Sequence, residues 1–157
     1  MPQKGPVPVE DVSAVAVGQA YLELHHGLHR IVDQRMTNAG LSLTKAKVLM
    51  RLTADGPMNQ ATLAAQLGFA PRSVTDTVDS LEREGLVTRA EDDTDRRARI
   101  VTLTPAGTEA WEKAQIVRAK VMDEIFGGLS PQERATLVAL LTDIRNNLPS
   151  GACNVRK

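Results

Sequence analysis

The sequence predicts a mainly α-helical fold carrying one small β-hairpin, and three observations point there. Two short helices are signalled back to back between residues 59 and 84, each with its own start and stop. Two segments rich in β-branched residues follow, on either side of a polar turn. Long amphipathic stretches at helical spacing flank this unit at both ends of the chain.

The first short helix runs from Gln60 to Leu67, opened by Asn59 as N-cap and closed by Gly68, where a left-handed residue is wanted. Phe69 and Ala70 make the turn. Pro71 suits the first position of the next helix, because its fixed φ is helical and its missing N–H would be an orphan there. Gly85 stops that helix after Glu84. Between them Val74, Val78 and Leu81 form one apolar stripe, with Arg72, Asp76, Asp79, Ser80 and Arg83 expected on the opposite, free face. The segments Leu86–Arg89 and Arg99–Leu103 read as strands around the turn Glu91–Arg97, and Thr104-Pro105 starts another helix. This order is that of a winged helix-turn-helix, whose second helix enters the major groove of duplex DNA.

The run Gly85-Leu86-Val87, the triplet Asp95-Arg96-Arg97 and the run Leu103-Thr104-Pro105-Ala106-Gly107 resemble the wing of the multiple-antibiotic-resistance regulator (MarR) family. The resemblance extends from Tyr21 to Leu148 and includes Leu41-Ser42-Leu43-Thr44 at the start of the second helix. It implies a dimeric bacterial or archaeal transcriptional regulator, usually a repressor, often released from its operator by a small molecule.

Residues 12–148 read as a single domain, with a winged core at about 42–104, dimerisation helices at about 12–36 and 105–148, and tails at 1–11 and 149–157. In the first helix Val17, Tyr21, Leu24, Leu28, Ile31 and Val32 supply an apolar stripe. Ser42 caps the second, whose Leu43, Ala46, Leu49, Met50 and Leu52 are expected to face inward before Asp55-Gly56-Pro57 ends it, and Met58 is expected to pair as a stub strand. Pro105 to Phe126 carries Ala110, Trp111, Ala114, Val117, Val121 and Ile125, and Gly127-Gly128 breaks it. Ser130-Pro131-Gln132-Glu133 is a capping box, followed by Leu137, Leu140, Leu141, Ile144 and Leu148 at helical spacing. A compact winged core cannot bury all these stripes, so a second copy is expected to cover them. Two-fold pairing would set the recognition helices about 34–36 Å apart, one turn of B-DNA, on a pseudo-palindromic operator.

Composition fits a soluble domain, with 42% hydrophobic and 24% charged residues. No apolar run is long enough to span a membrane, and the polar, proline-bearing start shows no secretory signal, so a cytoplasmic protein is expected. The lone Cys153 reads as an exposed tail residue. Lysine plus arginine and aspartate plus glutamate both number 19, so attraction to DNA must come from locally clustered charge. Arg89, Arg96, Arg97 and Arg99 alternate with acids, some of which are expected to turn toward the arginines.

Arg72 is the leading candidate for base contact, since a guanidinium bonds guanine O6 and N7 together. Ser73 and Thr75 suit phosphates, and Arg83 and Arg99 extend the basic surface. Relatives commonly carry a small polar residue at 72 and an arginine at 76, so the basic group here is displaced by one turn. Asp76 has three open roles: orienting Arg72 across one turn, accepting from cytosine N4, or facing solvent. In the wing, Arg96 is assigned to the minor groove and Arg97 to a bracing pair with Asp95, as the resemblance suggests.

The resemblance also implies an effector cleft between the first two helices, the fifth helix and the DNA-binding lobe. His26, His29, Arg30, Met50 and Trp111 are the candidates to line it, with an anionic phenolic ligand in view. His25 and His29 share a helix face at metal-chelating spacing, but no further ligand is evident, so no metal or cofactor is assigned. No phosphate loop, paired nucleophile and base, or carboxylate dyad marks an enzyme. The competing readings are a winged-helix module for protein contact and a metal-responsive regulator using His25 and His29.

Overall fold

The computed structural model describes residues 12–91 and 99–149. The elements run α1 (Ala14–Asn38), α2 (Leu43–Asp55), β1 (Met58–Asn59), α3 (Gln60–Leu67), α4 (Pro71–Arg83), β2 (Val87–Glu91), β3 (Arg99–Leu103), α5 (Pro105–Phe126) and α6 (Pro131–Asn146).

Local chemistry sets most of these ends. Ser42, Asn59, Thr104 and Ser130 each accept a backbone N–H of the first helical turn, and Glu133 returns a bond to the Ser130 N–H at 2.8 Å. Pro71, Pro105 and Pro131 open their helices. α1 starts later than expected, because Ser13 accepts from the Ala16 N–H at 3.2 Å and so takes the N-cap. It also runs on past Met36 to Asn38. Gly68 closes α3 with φ 66°, a left-handed conformation that a side chain would oppose.

Strand order is β1-β3-β2, all antiparallel, so the stub strand completes a three-stranded sheet. Met58 lies opposite Val101 and Val87 opposite Leu103. The first wing strand is longer than its sequence signal, extending to Ala90 and Glu91.

The core gathers under α4. Val48 and Leu49 of α2, Leu63 of α3, Val74, Val78 and Leu81 of α4 and Val101 of β3 are completely buried. Burial of each such aliphatic side chain contributes about 1.5–3 kcal/mol. On α1 the inward residues are Val32 and Met36, while Val17, Tyr21, Leu24 and Ile31 of the expected stripe stand exposed. α6 buries no residue, and Val138, Leu140, Leu141 and Ile144 are open to solvent. No helix among the described residues is long and apolar enough to cross a membrane.

Candidate nucleic-acid interface

α4 is strongly amphipathic. Its underside, Val74, Val78 and Leu81, is locked into the core, so the helix cannot roll and its outer residues have fixed directions. Arg72, Ser73, Thr75 and Asp76 are all exposed on its first turns, beside the sheet that carries the wing. Two hydroxyl and carbonyl groups there are already engaged: Thr75 Oγ1 donates to the Pro71 carbonyl at 3.1 Å, and the Ser73 carbonyl accepts from Thr77 Oγ1 at 2.7 Å. No ion pair joins Arg72 to Asp76 among the described residues. Both heads are free to meet a partner.

The second half of α4 departs from the sequence expectation. Asp79 and Ser80 are half-buried and turned sideways, not on the free face with Arg72 and Arg83. Arg89, from β2, is the reason on one side: its Nη1 donates to Asp79 Oδ1 at 2.6 Å and its Nε to Glu82 Oε2 at 3.0 Å, with Nη2 also on Glu82. On the other side Ser80 Oγ donates to Glu84 at 3.0 Å, and Glu84 pairs with Lys45 of α2. The acids that turn toward arginine thus include those of the recognition helix, which sequence spacing alone did not reveal. A signal was present in the acids Asp76, Asp79 and Glu82 on one helix meant for DNA, with Glu84 at its C-cap.

The titrations follow from these contacts. Hydrogen bonding to Arg89 pulls the Glu82 carboxyl below its ordinary 4.5, against desolvation, which raises it, and with help from the charges of Arg89 and Arg99. Desolvation alone would raise Glu84, but bonds from Lys45 and Ser80 and the nearby cations outweigh it and leave it lowered. Both acids therefore stabilise the fold above their ordinary range, and that contribution is lost as pH falls through the lowered values.

Arg83 is exposed, with its Nε on the Asp79 carbonyl at 3.3 Å, and Arg99 starts β3 opposite Glu91. Asp95, Arg96 and Arg97, the expected wing contact and brace, lie outside the described residues, as does Cys153.

Between α1, α2 and α5 lies a largely apolar cavity of about 310 Å³. His29, Met50 and Trp111 line it as expected; His26 and Arg30 do not, because they point off neighbouring faces of α1. Its cations come instead from Lys47 of α2 and Arg118 of α5, and His25 joins His29 on the rim. The Lys47 ammonium also sits 5.6 Å from the centre of the Phe69 ring, in the turn between α3 and α4. His25 and His29 have ring centres 6.2 Å apart, and no group of three metal-binding side chains forms among the described residues.

Comparison with known proteins gives this geometry its relatives. The MarR family model matches residues 41–98. An HTH-type transcriptional regulator of Bacillus subtilis, YkoM, is 33% identical over 113 residues, covering 72% of each chain. The structure of BpsR from Bordetella bronchiseptica, which concerns regulation of its DNA binding by 6-hydroxynicotinic acid, superposes with a TM-score of 0.68 at 26% identity, over 82% of this chain and 98% of that one. Apo MarR from E. coli shares the fold, with a TM-score of 0.75 at 21% identity over 93% of this chain and all of that one. The function these likenesses carry is regulatory and not enzymatic. The chain belongs to the MarR family, as a winged helix-turn-helix transcriptional regulator.

Proposed function

We propose that the protein is a homodimeric, ligand-responsive repressor, acting in the cytoplasm, that sets the first turns of α4 into successive major grooves of a pseudo-palindromic operator. The observation that carries this reading is α4 itself, clamped below by Val74, Val78 and Leu81 and exposed above at Arg72, Ser73, Thr75 and Asp76. In this reading Arg72 takes a guanine, Ser73 holds a phosphate, Thr75 holds one by turning its hydroxyl away from the Pro71 carbonyl, and Asp76 accepts from a cytosine amino group. Arg83 and Arg99 add phosphate contacts. Arg96 in the minor groove and the Asp95–Arg97 brace complete it on the family resemblance.

The uncovered faces of α1 and α6 support the dimer: Val15 is 70% exposed, Val138 63% and Leu141 41%. Large apolar side chains left exposed in this number on two helices are the mark of a partner site. The cavity supports the ligand response, since Lys47 and Arg118 beside an apolar wall with Trp111 suit a small aromatic anion. The regulation of BpsR by 6-hydroxynicotinic acid is of the same chemical kind.

Selection from a randomised duplex pool, followed by footprinting at two salt concentrations, tests the DNA reading. A protected pseudo-palindrome is expected, and Arg72→Ala should lose discrimination at one G·C pair in each half-site by about ten- to a hundredfold. No protected site, with wild type and Arg72→Ala binding all duplexes equally, would leave a winged module for protein contact. For the ligand, Trp111 is the chain's one tryptophan and a built-in reporter. Titration with 6-hydroxynicotinate or 2-hydroxybenzoate should change its fluorescence, and Arg118→Met should weaken that binding by about tenfold. An unchanged binding constant in Arg118→Met would remove the anion from this cavity.

A further inference from the structure

α4 carries two arginines, Arg72 and Arg83, against three acids, Asp76, Asp79 and Glu82, with a fourth, Glu84, at its C-cap. A helix of that balance repels the phosphate backbone it has to approach. The structure resolves this conflict by importing charge. Lys45 covers Glu84 from α2, and Arg89 covers both Asp79 and Glu82 from β2. Asp76 is then the one acid of α4 without an ion-pair partner among the described residues.

We propose that Arg89 is a positioning residue for DNA binding: it neutralises two acids of the recognition helix and fixes the angle between that helix and the wing, without itself touching DNA. Three of its N–H donors are spent on carboxylates, and its side chain is 18% exposed, against 46% and 37% for Asp79 and Glu82. A guanidinium held this way, with its Nε–Nη2 fork spent on Glu82 and most of its surface covered, has little left to offer a phosphate. The fork also ties two elements whose separate orientations decide whether major and minor grooves are reached together. Asp79 and Glu82 stand three residues apart on α4, and Arg89 sits in the first wing strand opposite Val101. The strand cannot swing away from the helix without breaking both pairs.

An arginine that binds phosphate and one that shields acids predict different things. The proposal rests on the DNA-binding reading above, and the experiment separates the two. Binding of wild type, Arg89→Met, Arg89→Lys and the triple variant Arg89→Met/Asp79→Asn/Glu82→Gln would be measured on the selected duplex and on a mixed-sequence duplex, across a salt series. Circular dichroism would confirm that each is folded. Arg89→Met should weaken binding on the order of tenfold, the scale of an uncompensated like-charge clash at a wet rim. Arg89→Lys should recover part of this, since it keeps the charge and loses the fork. The triple variant should recover most of the loss and keep the wild-type salt slope, because no acids are left to repel the phosphates; the remaining shortfall is the lost tie between helix and wing. A direct phosphate contact gives the opposite result: no rescue in the triple variant, and a salt slope reduced by about 0.9 for the lost contact. That result overturns the proposal and leaves the DNA reading intact. Failure of wild type to bind either duplex overturns the DNA reading itself.

Discussion

Leu141→Glu combined with Ile144→Glu should yield a folded monomer that has lost nearly all operator affinity. Both side chains are exposed on α6, a helix that buries none of its residues in its own chain, so the substitutions remove nothing from the protomer's core. In a two-fold pair they bring four carboxylates into one apolar contact, a desolvation penalty that the single nearby Arg145 of each α6 is too little to offset. Two linked half-site contacts bind more tightly than one by about 10²–10⁴, and a monomer forfeits that factor. Light scattering after size exclusion reads the oligomeric state, and titration of the selected operator reads the affinity. A variant that stays dimeric would place the dimer contact elsewhere and remove the main structural support for the two-fold reading.

Gly107→Ala should be the most damaging glycine-to-alanine change among the described residues. A β-carbon there would lie 2.1 Å from the Leu86 carbonyl oxygen and 2.8 Å from Leu103 Cδ1, and the first of these is backbone that cannot turn aside. Overpacking typically destabilises by about 1–3 kcal/mol, and a clash with main chain belongs at or above the upper end. For a chain of this size about 3 kcal/mol lowers the melting temperature by roughly 10 °C. Gly128→Ala is the control, since nothing lies within 4 Å of its added methyl. Equal shifts in both variants would refute the packing account.

Local rules carried most of the fold. Asn59, Gly68, Pro71, Thr104 and Ser130 act within one turn of themselves, so the bounds of α3 and α5 and the starts of α4 and α6 are readable from residues three or four apart. What was not readable depends on separation. Arg89 meets acids seven and ten positions earlier, across a helix end and a turn, and only the folded angle between α4 and β2 brings them together. For the same reason Asp79 and Ser80 were expected on an open face that the wing and α2 in fact occupy.

The cavity shows a similar limit. The family resemblance placed a cleft beside α1 without saying which of its faces, so His26 and Arg30 were grouped with His29, but the crossing of α2 and α5 selects the face of His25 and His29. Arg118 and Lys47 were invisible as a pair, since 71 positions divide them. The apolar stripe of α1 was expected to exceed what the core can bury, and it divides that way: Val32 serves the core together with Met36, which lay outside the expected stripe, and Tyr21 and Leu24 stand outside the core.

The close approach at Gly107 also determines how motion passes through the molecule. There the start of α5 is bolted to the root of the wing: the Thr104 N–H bonds the Leu86 carbonyl at 3.1 Å and its hydroxyl the Gly85 carbonyl at 2.7 Å. α5 spans 22 residues, about 33 Å of stiff rod, with the wing welded to one end and the α6 turn at the other. A pivot of about 5° at the far end therefore carries the wing through about 3 Å, with no joint in between to absorb it. In the proposed dimer, small adjustments where two protomers meet would thus be delivered, undamped and magnified by the length of the rod, as changes in reading-head spacing.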